Sequence, residues 1–180
     1  MIFVPDLNSL PESFYDQHVV QVAKKLLGQL LVFNEHEVMI TETEAYRGTD
    51  DEASHAYRGV TPRNQVMFGE PGRAYVYLIY GMYYCFNIVC EPRNTPAAVL
   101  LRGAHTTKKP FFHYDGPGKL CRALGITSKE NKLDLTTSSI CYVKQNKVKF
   151  NVQETPRIGI KKALEKKWRF VLNLQNLGNI

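Results

Sequence analysis

The chain has 180 residues, 44% of them hydrophobic and 22% charged. That balance excludes a disordered or fibrous polypeptide, and a single domain over 1–180 is long enough to bury its own core. The net charge of +6 suits a polyanionic partner without requiring one. Cys85, Cys90, Cys121 and Cys141 make no CxxC pair. They are expected as buried, reduced thiols of a cytoplasmic protein, or a nuclear one in a eukaryote. No apolar run reaches membrane-spanning length, and Met1 to Asp6 lack the basic-then-apolar pattern of a secretory signal. No membrane contact is expected.

In chain order the first predicted element is a helix, because Val19, Val20, Val22, Ala23, Leu26 and Leu27 recur at helical spacing and Gly28 offers a stop. A strand at Leu30–Phe33 and a turn at Asn34-Glu35-His36 follow. The next strand is predicted over Val38–Tyr46. Its period of two puts Glu42, Glu44 and Tyr46 on one face and Thr41, Thr43 and Ala45 on the other. Thr49-Asp50-Asp51-Glu52 matches a capping box and predicts a short helix carrying His55. Gly69 to Gly72 is a turn. Ala74 to Val89 is β-rich on both sides of Gly81, which predicts a hairpin with Tyr80, Met82 and Tyr83 at its tip. A third strand, Ala98–Leu101, ends on Arg102. Thr106 to Pro117 reads as irregular and Lys119–Leu124 as a short helix. The last forty residues carry a basic excess, including Lys144, Lys147, Lys149, Arg157, Lys161 and Lys162.

Three features carry chemistry. Strand carboxylates ordinarily face water, yet hydrolysis of an N-glycosidic bond needs one carboxylate to orient and deprotonate water and to stabilise a cationic sugar. An aromatic hairpin is ordinarily core, yet a polypeptide that unstacks base pairs pushes an apolar side chain between them, and an extruded base is then held between aromatic rings. Tyr80 suits the wedge, and Tyr75 and Tyr77 suit the stacking. Gly116-Pro117-Gly118-Lys119 is by its spacing equally a plain turn or a turn into a basic helix start that meets a backbone phosphate. His36-Glu37 begins a zinc-type motif, but Ile40 stands where its second histidine is needed. No metal is expected.

The runs Glu42-Thr43-Glu44-Ala45-Tyr46, Asp51-Glu52-Ala53-Ser54-His55, Thr61-Pro62-Arg63-Asn64, Met67-Phe68 and Tyr75 to Met82 with Asn87 resemble the alkyladenine (3-methyladenine) DNA glycosylase family. The resemblance continues through Val99-Leu100-Leu101-Arg102, Gly116 to Leu120 and Arg157-Ile158-Gly159-Ile160. It implies an α+β fold, a single mixed domain with a curved, mainly antiparallel, barrel-like sheet flanked by helices and a protruding aromatic hairpin. It also implies a DNA-repair enzyme that flips alkylated or deaminated purines from duplex DNA and leaves an abasic site.

By the same resemblance Glu44 is the general base and Arg102 helps hold its water. Tyr46, His55 and Tyr77 hold the flipped base, and Asn87 disfavours the exocyclic amine of guanine. Tyr80 intercalates. Met82, Tyr83 and Lys119 are expected at the DNA. No cofactor is implied, the partner is double-stranded DNA containing damaged purines, and a monomer is expected. Departures are a short stretch between Arg102 and Gly116 and an unfamiliar Gln175-Asn176-Leu177-Gly178. The main alternative is a non-catalytic nucleic-acid binding module, with Glu44 a bystander.

Overall fold

A computed structural model describes residues 9–148 and 150–173. The expectations placed on Met1 to Asp6, on Lys149 and on the terminal Gln175 to Gly178 lie outside the described residues.

The helices are α1 (Glu12–Tyr15), α2 (Val19–Leu26) and α3 (Pro117–Leu124). The strands are β1 (Leu30–Phe33), β2 (His36–Arg47), β3 (Ala74–Ile79), β4 (Tyr83–Val89), β5 (Ala97–Thr106), β6 (His113–Asp115), β7 (Cys141–Lys144), β8 (Val152–Thr155) and β9 (Arg169–Leu172). They form one strongly curved, half-barrel sheet in the order β3-β4-β5-β2-β1-β7. β6 is added to β5, and β9 joins β2 to β8. Every strand pair is antiparallel. The fold is therefore α+β, as expected.

β2 is the spine. One edge pairs with β5 along nearly its whole length, and the other is shared by β1 and then β9. The β2–β5 register slips on either side of Glu42, so that Thr41 is skipped on β2 and Arg102 on β5. Such bulges bend a strand and re-aim its side chains. Gly103, opposite Glu42, makes this possible. A Cβ there would come within 3.0 Å of the Glu42 Cβ and 3.1 Å of the Thr41 Oγ1.

The core follows from the sequence pattern. Val19, Val22, Ala23 and Leu26 form one buried face of α2 and pack on β2 and β5. Each buried valine or leucine among them contributes about 1.5–3 kcal/mol. Leu120, Cys121 and Leu124 do the same for α3 against β4 and β5. A smaller cluster of Ala56, Val66, Met67, Tyr75, Val89 and Ala98 packs with Tyr77. All four cysteines are buried and unpaired. Among the described residues no helix is long and apolar enough to cross a membrane.

Some elements differ from the sequence expectation. The segment after Thr49 is not a helix but a chain of turns, with Asp51 N bonded to Gly48 O, Ser54 N to Asp51 O and Tyr57 N to Ser54 O. The Asp51 carboxylate accepts from Ala53 N and Arg47 N within these turns and from Arg157 across the chain. β5 runs on past Leu101, so Arg102 sits inside the strand rather than at its end, because His105 and Thr106 pair with Met39 and Val38. The stretch read as irregular contains β6, and α3 begins at Pro117, two residues before Lys119. Proline suits that first turn, since it has no N–H to leave unpaired.

Candidate active site

A cavity of about 620 Å³ opens between β2, the β3–β4 hairpin, β5, the turns around His55 and the loop after Arg157. Its walls include Tyr46, His55, Tyr77, Asn87, Arg102 and Ile158. That volume lies within the range of small-molecule pockets and leaves room for a purine with its sugar.

Glu44 lies directly behind this wall, its side chain without solvent exposure. The Tyr46 hydroxyl donates to its Oε2 at 2.7 Å and the Ile158 amide to its Oε1 at 2.7 Å. Arg102 Nε stands 3.5 Å from the same Oε1. Burial raises the Glu44 pKa. Arg102, the Ile158 amide and the Tyr46 hydroxyl pull it back down, and neighbouring Glu42 raises it further. Burial and the Glu44 charge push the Tyr46 phenol up strongly, so it stays a proton donor. The alternation read from the strand is present: Glu44 and Tyr46 touch, while Thr43, on the other face, donates to Ala23 O on α2.

Two ion-pair systems hold this arrangement. Glu42 Oε1 accepts from Arg102 Nε at 3.0 Å and from Arg169 Nε at 2.6 Å. Arg102 is the residue skipped in the β2–β5 register, so the bulge turns its side chain toward both carboxylates. The second system is fully buried. Arg157 Nη1 and Nη2 grip the two oxygens of Asp51 at 2.6 and 2.7 Å, with no exposure on either side chain. Arg157 also donates to Ala45 O at 2.9 Å and lies 4.7 Å from the centre of the Tyr46 ring. The next residue along the chain is Ile158, whose amide reaches Glu44.

The aromatic side is built on β3. Tyr75 and Tyr77 share a face, with ring centroids 5.1 Å apart. The His55 ring stands edge-on to Tyr77 at 4.7 Å, and its Nδ1 lies 3.0 Å from the Tyr75 hydroxyl. Burial, and secondarily Arg63, lower the His55 pKa, so the imidazole is neutral at physiological pH. Asn87 donates to Tyr75 O at 2.9 Å and to Cys85 O at 3.4 Å. Those bonds commit its NH₂ group and leave the carbonyl oxygen as its free polar atom.

At the rim, β3 and β4 are joined by Tyr80-Gly81-Met82, closed by Met82 N to Ile79 O at 3.1 Å. Tyr80 and Gly81 both have positive φ, 50° and 68°, as hairpin turns that match strand twist require. A tyrosine there is unusual. Tyr80 is 87% exposed, Met82 66% and Tyr83 41%. Tyr80 lines the cavity mouth, whereas Met82 and Tyr83 do not line it. Tyr83 packs over Gly118, where a Cβ would approach its ring to 3.0 Å, which seats the hairpin on the start of α3. Lys119 is exposed on α3, its Nζ 2.7 Å from Asp115, and is also absent from the cavity wall.

The structure thus gathers Tyr46, His55, Tyr77, Asn87 and Arg102 on one cavity wall, with Tyr80 at its mouth and Glu44 buried behind Tyr46 and Ile158. Sequence reasoning set Glu42 beside Glu44 on one strand face and counted Arg157 and Arg169 in the C-terminal basic excess for the DNA backbone, but gave no role to Asp51 or Ile158; the structure instead ties Arg157 to Asp51 and Arg169 to Glu42. The motif Arg157-Ile158-Gly159-Ile160 was the available signal for Arg157 and Ile158. Lys161 and Lys162 also line the cavity, and Lys162 Nζ pairs with Glu52 at 2.8 Å. Among the described residues no group of three His, Cys, Asp or Glu is placed to hold a metal ion.

Residues 13–176 match the family described as Methylpurine-DNA glycosylase (MPG). A protein of Ehrlichia ruminantium is 50% identical over 171 residues, covering 92% of this chain and 89% of its own. One of Ehrlichia chaffeensis is 52% identical over 166 residues, covering 91% and 92%. One of Wolbachia from Brugia malayi is 51% identical over 161 residues, covering 89% and 95%. Each bears the name "Putative 3-methyladenine DNA glycosylase". With a family match across nearly its whole length and relatives of this identity, the chain belongs to the methylpurine-DNA glycosylase family.

Proposed function

We propose that this chain is a DNA-repair glycosylase that extrudes damaged purines, alkylated or deaminated, from duplex DNA and hydrolyses their bond to the sugar without forming a covalent intermediate. The observation that carries the reading is the buried Glu44 carboxylate set behind an aromatic cavity roomy enough for a purine, whose mouth bears an exposed tyrosine on a β-turn.

Tyr80 enters the duplex and fills the space the base vacates, at the cost of the local stacking. Met82, Tyr83 and Lys119 lie on the same hairpin and on α3 and meet the flanking strand. Backbone charge makes the binding salt-dependent. The base stacks among Tyr46, His55 and Tyr77, with Asn87 in the wall beside it.

Glu44, ionised, takes a proton from water as the water's oxygen bonds to the anomeric carbon and the C–N bond breaks. The base departs with the bonding electron pair, a cationic base as the neutral species and a neutral one as an anion that takes a proton from solvent, and the carboxylate stabilises the sugar cation that develops. Arg102 steadies Glu44 and the water through its guanidinium.

The test is release of free base from a duplex oligonucleotide with one damaged purine. Wild type releases it; Glu44→Gln binds the duplex but releases none. The glutamine fits the site, since its oxygen accepts from Ile158 N and its NH₂ donates to the Tyr46 hydroxyl. Full release by Glu44→Gln refutes the general-base role.

A further inference from the structure

The two tyrosines of the cavity each carry a guanidinium on one ring face. Arg157 Cζ lies 4.7 Å from the Tyr46 centroid and Arg63 Cζ 5.0 Å from that of Tyr77. Neither arginine is part of the cavity wall, whereas both tyrosines are. Each guanidinium therefore lies over a ring of the cavity without itself lining it, and we take the face it covers to be the one turned from the base.

The two backings differ in charge. Arg157 is cancelled by a bidentate, fully buried Asp51. Arg63 has no acidic partner among the described residues; its Nη2 donates to Leu78 O at 3.2 Å. Tyr46 is thus backed by a neutral pair and Tyr77 by a net positive charge.

A cation is drawn to an aromatic face by the ring quadrupole. When the opposite face already holds a cation, part of that attraction is spent, and the two charges repel across the thickness of the ring. A neutral base suffers no such repulsion. We infer that Arg63 is a specificity-determining residue that sets the charge preference of the cavity, holding back cationic purines relative to neutral ones through the Tyr77 ring. The inference rests on the reading of the cavity as a purine site. Arg63 is itself exposed, so solvent screens the effect and keeps it modest. Its field also reaches the other side of the clamp, where it adds to burial in keeping His55 neutral.

The experiment compares wild type, Arg63→Gln and Arg63→Lys on two duplexes, one carrying a cationic N7-methylated guanine and one carrying neutral hypoxanthine. Single-turnover release is measured at pH 8, where His55 is neutral in every variant, and corrected for spontaneous loss. Arg63→Gln is expected to raise the ratio of cationic to neutral release by roughly threefold or more. Arg63→Lys keeps the wild-type ratio. The His55 titration followed by NMR moves up in Arg63→Gln. A merely structural role for Arg63 would lower both rates together, and that unchanged ratio overturns the inference. A fall in the ratio overturns it as well. Failure of wild type to release either base overturns the glycosylase reading itself, and is distinguishable because the ratio is then undefined.

Discussion

Replacing Asp51 by asparagine is the sharpest test of how the site is held. Each oxygen of Asp51 receives two donors. Oδ1 accepts from Arg157 Nη2 at 2.7 Å and from Ala53 N at 3.2 Å. Oδ2 accepts from Arg157 Nη1 at 2.6 Å and from Arg47 N at 3.3 Å. Asparagine keeps the shape but turns one oxygen into a donor, and in either orientation that NH₂ group confronts two donors. The guanidinium also loses its counter-charge where neither side chain is exposed. Breaking one partner of such a pair costs about 3–5 kcal/mol. For a domain of this length that lowers Tm by roughly 6–20 °C.

The assay is urea and thermal unfolding of Asp51→Asn beside Asp50→Asn. Asp50 makes an exposed ion pair with Arg47 at 3.2 Å, and its loss is expected to cost about 1 kcal/mol or less. Base release by Asp51→Asn should fall even below its unfolding transition, because Arg157 both backs Tyr46 and anchors the loop that brings Ile158 N to Glu44. A loss of stability no larger than that of Asp50→Asn would refute the reasoning.

The pH profile of base release offers a second check. A general base must be ionised, and the Glu44 pKa is raised. The rate is therefore lost as pH falls through a value above the ordinary glutamate range. Glu42 raises that pKa, so Glu42→Gln moves the acid limb to lower pH, and freeing Arg102 and Arg169 from Glu42 acts in the same direction. Arg102→Gln removes the largest lowering influence and moves the limb up; single-turnover rates from pH 4 to 9 decide, and movement in the opposite directions would contradict the electrostatic account. At the hairpin, Tyr80→Gly removes an exposed ring and relieves the positive φ. Stability should change by less than about 1 kcal/mol, because that relief offsets the added chain entropy, while release from duplex falls; unchanged release from duplex would argue against a wedge.

How much of this was legible beforehand depended on how far apart the interacting residues lie in the chain. The face shared by Glu44 and Tyr46 follows from a period of two, the buried stripe of α2 from a period of 3.6, and the turn at Tyr80-Gly81 from a lone glycine between β-formers. Each is a local property of the backbone, and each is present in the fold. Where a helix was expected after Thr49 there are turns, and Asp51 binds both its chain neighbours Arg47 N and Ala53 N and the distant Arg157.

By itself, then, the sequence determined which residue types could do the chemistry, their order, and the strand face that carries them. Tertiary structure alone decided what surrounds the carboxylate. The bonds from Arg157 to Asp51, Ile158 to Glu44 and Arg169 to Glu42 span 106, 114 and 127 residues. Periodicity says nothing about which distant charges meet. That depends on β9 lying against the second half of β2, and on the bulge at Glu42 that turns Arg102 toward both acids.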